Sequence, residues 1–119
     1  MVLVDTSVWV LHLREGNTDL EALLNVGEVV CHPFIIGELA CGNIKNRSEI
    51  LSLLASLPMA VEAEHEEVMQ FIESNKLMGC GLGIVDVHLL ASSKLTRVQL
   101  WTQDKKLNEF SHKLGVHYK

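Results

Sequence analysis

What this chain lacks narrows it first. Its three cysteines, Cys31, Cys41 and Cys80, include no C-x-x-C pair. An odd, unpaired set excludes a disulfide framework and a thiolate zinc site, which leaves reduced core thiols. No apolar run approaches the ~20 residues a membrane-spanning helix needs. The start of the chain has no basic segment, and Asp5 arrives too early for a signal peptide. The expectation is a soluble, cytoplasmic protein without a membrane partner. Positive charge is scarce as well: 10 Lys and Arg stand against 15 Asp and Glu, a net charge of -5. General electrostatics therefore supply no pull toward nucleic acid. No repeat, low-complexity tract or linker interrupts the 119 residues. A single domain over 1–119 is expected, large enough for a real core.

Four acids look misplaced among what remains. Asp5 closes the apolar run Val2-Leu3-Val4. Glu38 lies inside Phe34-Ile35-Ile36-Gly37-Glu38-Leu39-Ala40. Asp86 interrupts Ile84-Val85-Asp86-Val87-His88-Leu89-Leu90. Asp104 follows Leu100-Trp101-Thr102-Gln103. A carboxylate on or beside a buried surface is costly unless something pairs with it. Four of them suggest one shared counter-charge, and a divalent cation is the natural candidate.

The pattern along the chain is an alternation. Short apolar strands are expected at 2–4, 28–31, 59–61, 99–101 and 116–118. Helices are expected at 7–14, 18–26, 33–41, 46–57, 64–77, 84–95 and 105–114. Their punctuation is local: Thr18-x-x-Glu21 as a capping box, Pro33 in a first turn, Asn46 as a cap, Pro58 and Gly115 as stops. Strands separated by helices imply a parallel sheet with helices on both faces. Such sheets bind ligands beyond the carboxyl ends of their strands. Asp5 and Asp104 follow strands directly. If the first and fourth strands are neighbours, all four acids can meet at one end.

Each acid also has a plainer explanation. Asp5 and Asp104 sit where helix N-caps belong. Asp86 in a first turn favours the helix dipole. Glu38 fits a narrow wet stripe on an apolar helix. Jointly those explanations need four separate coincidences, which favours a cluster. Thr6, Ser7 and Thr102 adjoin the acids, so their hydroxyls orient carboxylates or a substrate phosphate, or else cap helices. His88 reads as a packed or hydrogen-bonded ring. The glycines of Gly79-x-Gly81-x-Gly83 are misplaced for a dinucleotide fingerprint and read as a loop delivering Asp86.

The segments Val4-Asp5-Thr6-Ser7-Val8-Trp9, Gly37-Glu38-Leu39, Gly83-Ile84-Val85-Asp86-Val87-His88 and Thr102-Gln103-Asp104-Lys105-Lys106-Leu107 resemble the ordered signatures of the PIN-domain ribonucleases. The VapC toxin branch of bacterial toxin–antitoxin pairs is the nearest match. The resemblance implies a PIN-like three-layer α/β/α sandwich with strand order 3-2-1-4-5. It also implies a magnesium-dependent endoribonuclease with catalytic Asp5, Glu38, Asp86 and Asp104. Its partners would be RNA, an antitoxin whose tail covers the acidic pocket, and a second copy of the chain. Carboxylates without histidine or cysteine favour magnesium, or manganese, over zinc. Asp5, Asp86 and Asp104 are assigned to the metal and Glu38 to the rim. The rival readings are a PIN nuclease of RNA maturation, a phosphatase using Asp5 as nucleophile, and a non-catalytic module on the same sheet. The phosphatase reading needs a second acid two residues after Asp5, where Ser7 stands.

Overall fold

The apolar run at the start of the chain forms the centre of the sheet. A computed structural model describes residues 1–119. In it β1 (Val2–Val4) pairs in parallel with β2 (Val29–Val30) and β3 (Gln99–Trp101). The order is β2-β1-β3. Every residue of β1 is buried. Successive side chains in a strand point to opposite faces, so both faces of the sheet are covered.

Seven helices cover it: α1 (Thr6–Glu15), α2 (Thr18–Asn25), α3 (Pro33–Cys41), α4 (Arg47–Ala55), α5 (His65–Asn75), α6 (Ile84–Thr96) and α7 (Lys105–Lys113). One core joins the strands to Val8 and Trp9 of α1, Leu20 of α2, Ile35 and Leu39 of α3, Leu89 and Leu90 of α6 and Leu107 of α7. A second cluster packs Val68 of α5 and Leu77 against Val87 and Ala91 of α6. Because α6 serves both clusters, its orientation is fixed from two sides.

The sheet is narrower than the expected five strands. Residues 59–61 and 116–118 contribute only single parallel bridges, Cys31 to Met59 and Leu100 to His117. The bridges flank β2 and β3, where the order 3-2-1-4-5 would put its outer strands. They do not extend into strands, because the backbone turns to other partners. The Val61 N–H donates to Thr96 Oγ1 at 2.9 Å. The Val116 N–H donates to the Ser111 carbonyl at the end of α7.

Three local expectations need correction. Asn17, not Thr18, caps α2, its side chain accepting from the Leu20 N–H at 2.9 Å. Asn46 precedes α4 in the left-handed region (φ 53°) and makes no side-chain cap. Of the thiols only Cys31 is a core residue; Cys41 is exposed and Cys80 half-buried. Burial pushes the Cys31 thiol up to about 11, beyond ready ionisation.

Two residues, the N-cap of α3 and a glycine within it, matter below. His32 caps the helix: its Nδ1 accepts from the Phe34 N–H at 3.0 Å. That assigns the ring proton to Nε2, which donates to Ser92 Oγ of α6 at 3.2 Å. The fully buried ring thus ties α3 to α6. Gly37 sits in the helix interior, where glycine costs about 1 kcal/mol relative to alanine. A Cβ there would meet nothing within 4 Å, so packing inside the chain does not require a glycine.

Burial holds His32 below the ordinary histidine value; Glu62 acts to raise it and His88 to lower it further. A depressed value in the folded state means the neutral ring's stabilisation is present above the ordinary histidine pKa. It is lost as the pH falls through the folded one. Thermal unfolding followed between pH 7.5 and 5 should therefore show declining stability on the acid side (roughly below pH 6.5). His32→Asn keeps a capping side chain that takes no proton and should flatten that decline. Equal slopes for variant and wild type would refute the assignment.

Candidate active site

Asp5 leaves β1 still in sheet register, its N–H donating to the Trp101 carbonyl at 2.9 Å. It occupies the N-cap position of α1, yet its side chain caps nothing. The carboxylate Oδ2 accepts from Ser7 Oγ at 2.8 Å and from Thr102 Oγ1 at 2.7 Å. Thr102 follows β3, the parallel neighbour of β1, so strand pairing alone delivers its hydroxyl to Asp5. The same hydroxyls accept in turn: Ser7 Oγ from the Gln103 N–H (2.9 Å) and Thr102 Oγ1 from the Asp104 N–H (3.0 Å). The 102–104 turn is thereby latched to the end of β1, and Asp5 is buried beneath it at 7% exposure.

The other acids stand around this point. Glu38 on α3 accepts from Thr6 Oγ1 at 2.6 Å through Oε1. Asp86, in the first turn of α6, accepts from the Gly83 N–H at 3.3 Å through Oδ2. Asp104 caps α7, accepting from the Leu107 N–H at 2.8 Å through Oδ1. Asp86 is half-buried, whereas Glu38 and Asp104 are exposed. The sequence expectation of four acids on buried surfaces therefore holds for Asp5 and Asp86 only. Glu38 lies with Gly37 on the exposed stripe of α3.

A common pattern runs through the four. Each carboxylate has one oxygen engaged by a hydroxyl or a backbone N–H, and no hydrogen bond occupies the other. Thr6, Ser7 and Thr102 divide the work: Thr6 serves Glu38, and the other two serve Asp5. No Lys or Arg pairs with any of the acids; the ion pairs of the chain are Met1 with Glu28 and Lys113 with Glu109. The acids feel one another. Burial pushes Asp86 above the usual carboxylate range, the Gly83 N–H acts to lower it, and the charges of Asp5, Asp104 and Glu38 raise it further.

Oxygen donors carrying uncompensated charge suit a hard divalent cation. No three Asp, Glu, His or Cys side chains converge closely enough to hold one ion among them. The donor set therefore fits an ion that takes one or two carboxylates directly and reaches the rest through water, as magnesium commonly does.

Beside the acids, His88 of α6 packs edge-on against Phe34 at 4.7 Å between ring centroids. It makes no hydrogen bond through Nδ1, which is buried. Packing was expected of it; an unpaired ring nitrogen was not. Sequence reasoning also passed over His32, because a buried histidine cap leaves no periodic signature.

Residues 2–113 match the family model described as PIN domain, and the chain belongs to the PIN-domain family. Within it the chain is 45% identical over 117 residues to Ribonuclease VapC32 from Mycobacterium tuberculosis strains CDC 1551 and H37Rv, covering 98% of this chain and 94% of each relative. It is thus a homologue of the VapC proteins that its motifs resemble. In fold it is similar to the crystal structure of PAE2754 from Pyrobaculum aerophilum, with a TM-score of 0.59 at 17% identity over 96% of this chain and 88% of that one.

A raised carboxylate pKa means that ionising Asp86 disfavours the folded state, a cost absent below the unfolded value and complete above the folded one. In chelator at pH 7, Asp86→Asn should melt at a higher temperature than wild type. The advantage should shrink as the pH falls toward 4. An Asp86→Asn protein less stable than wild type at pH 7 would contradict the mutual repulsion described here.

Proposed function

We propose that this chain is a magnesium-dependent endoribonuclease, the toxin of a toxin–antitoxin pair, acting as one PIN domain over residues 1–119. The observation that carries the reading is the set of four carboxylates, each with a free oxygen and none with a cationic partner, beyond the carboxyl ends of β1 and β3. Similarity to proteins named ribonuclease supports RNA as the substrate class.

The roles follow from how each acid is held. Asp5, gripped at Oδ2 by two hydroxyls, keeps Oδ1 for the ion and defines its position relative to the sheet. Asp86 and Asp104 supply further oxygens, directly or through water. When bound, magnesium (manganese is the other hard cation that suits the set) lowers the pKa of its water and neutralises charge on the scissile phosphate. Glu38, exposed and steadied by Thr6, keeps Oε2 to accept a hydrogen bond from the attacking water. Ser7 occupies the place where an aspartyl phosphatase would need its second acid, and it donates to Asp5 instead. That disfavours Asp5 as a nucleophile.

The VapC likeness further supports an antitoxin that covers the acidic pocket, a homodimer, and a cytoplasmic setting. No helix is long and apolar enough to cross a membrane.

Incubation of structured RNAs with the chain should give magnesium-dependent cuts that chelator abolishes. Asp5→Asn and Asp86→Asn should each remove cleavage. Thr102→Val removes one of the two hydroxyls that hold Asp5 Oδ2 without changing shape and should lower activity by roughly 10- to 100-fold, the usual effect of losing a group that orients a metal ligand. Millimolar magnesium should raise the melting temperature of wild type and much less that of Asp5→Asn. Cleavage that survives both Asp substitutions would remove the assignment.

A further inference from the structure

The acids at the end of the sheet repel a polyanion, and the hydroxyls among them have nothing left to hold one. Thr6 Oγ1 donates to Glu38, while Ser7 Oγ and Thr102 Oγ1 donate to Asp5. A hydroxyl has one proton to give, so all three are spent on carboxylates. The phosphate that is cut would face the cation held by the acids. Its neighbours in the strand each carry a charge as well, and they need cations of the chain's own.

Two lysines follow Asp104 directly, and the fold has no use for their charge. Lys105 and Lys106 open α7, where the helix dipole disfavours positive charge, and no acid shares that first turn with them. Both are exposed, and neither makes an ion pair, even with Asp104 beside them. The end of the helix is not itself open to an anion, because Asp104 caps it. Lys106 has a defined course. Its Cε lies over the glycine loop, 3.8 Å from where a Cβ of Gly81 would stand. That loop ends at Gly83, whose N–H donates to Asp86. The stem of Lys106 therefore runs from the helix that Asp104 caps to the loop that delivers Asp86. The 102–104 turn at its base is fixed, latched to the end of β1 through Ser7 and Thr102. A cation is thus carried at the rim of the acids, close to them in the fold and paired with none.

We infer that the Lys106 ammonium holds the RNA phosphate next to the one that is cut, and so sets the register of the strand over the acids. The inference rests on the ribonuclease reading above. Contacts to phosphate position a nucleic acid without reading its bases. An ammonium paired with Asp86 or Asp104 would compete with a metal ion for their oxygens. One held apart from them adds affinity for the strand and leaves the oxygens free. It also supplies a local attraction that a net charge of -5 does not. The cost falls on the helix, whose dipole the lysine opposes. Lys105 stands roughly 100° further round α7, off this course, and takes no part in the contact.

The test compares wild type with Lys106→Gln and Lys106→Arg on a cleavable single-stranded RNA in magnesium. Lys106→Gln removes a charge from the first turn, so its melting temperature should equal or exceed that of wild type. At low salt its KM should rise roughly tenfold, the lower end of what a hydrogen bond to a charged group contributes. Its kcat should be nearly unchanged, and Lys106→Arg should stay near wild type. The slope of log KM against log salt should fall by about 0.7, the worth of one phosphate contact on a single strand. A series of RNAs then carries one uncharged methylphosphonate linkage moved along the strand (the adjoining 2′-OH methylated here and in the matched phosphate control). At one position beside the cut, wild type should suffer the same loss and Lys106→Gln should lose nothing more. An unchanged KM and salt slope in Lys106→Gln overturn the inference. So does a methylphosphonate loss in Lys106→Gln that matches wild type at every position, the mark of a general charge effect. A melting temperature well below wild type overturns it too, because the lysine is then a brace for the glycine loop. A position-specific loss that disappears in Lys105→Gln rather than in Lys106→Gln likewise overturns it. If wild type cuts RNA and Lys106→Gln cuts it equally well, the ribonuclease reading stands and only this inference fails. If wild type cuts no RNA, both fail together.

Discussion

A negative charge buried at the end of the central strand sets the terms for the rest of this structure. Asp5 is 7% exposed and has no cation beside it. Its two hydroxyl donors contribute about 1.5–3 kcal/mol each as hydrogen bonds to a charged group. Burying an ion still costs several kcal/mol, so the hydroxyls leave little margin. They also demand a particular topology. Ser7 comes from the helix that follows Asp5, but Thr102 comes from the end of β3, 97 residues away in sequence. Only a sheet in which β3 lies directly beside β1 brings the two together. The fold and the charge are thus mutually dependent: the strand order supplies the donor, and the donor makes the buried carboxylate tolerable.

Each of the remaining acids has a single hydrogen bond and is more exposed than Asp5. Asp86 has one long hydrogen bond and remains half-buried, so it carries the repulsion of the group and holds its proton more tightly than usual. Glu38 and Asp104 reach solvent, where water screens their charges. Two unit charges 4 Å apart would repel by about 4 kcal/mol at an effective dielectric near 20. Keeping the acids from converging on one point avoids most of that penalty. The spacing that spares the fold this repulsion also limits how many carboxylates one ion can touch directly, so stability and ligand affinity are opposed at this site.

What could be read from sequence follows the range of each interaction. The central strands and all seven helices were legible, because apolar runs and breakers such as Pro33, Pro58 and Gly115 act over a few residues. The sheet edges were not. Residues 59–61 look like a strand, and nothing local reveals that Val61 turns to Thr96. Asn17 was overlooked in favour of Thr18 because either residue is a competent cap and only geometry selects between them. The four acids were legible as chemical anomalies. Their hydroxyl partners were only half legible: Thr6, Ser7 and Thr102 were suspected by adjacency, but which carboxylate each serves depends on contacts across the sheet. His32 carries no signal at all, since a histidine before proline is unremarkable in one dimension, and Gly37 is legible only as part of the Gly37-Glu38-Leu39 motif, not for its place on the open face of α3.

The same two residues show where rigidity and openness are separated. Each acid is anchored at a strand end, a helix start or a packed helix, and α3 is fixed to α6 through the neutral His32 ring. Glu38 therefore inherits its place from a histidine that never touches it. On the opposite side of that ring chain, Phe34 and His88 line a groove that nothing in the chain fills. A nuclease site must be stiff at the carboxylates, because a shift of about 1 Å in a reacting group is enough to cost a hundredfold in rate. It must be open next to them, because the substrate is a polymer that enters from the side. The His32–Phe34–His88 row meets both demands with one set of contacts: its buried end holds the helices in register, and its exposed end is a finished wall. Loosening the buried end would misplace Glu38 and the groove wall together, so in this chain the place of the acid and the shape of the surface beside it are not independent properties.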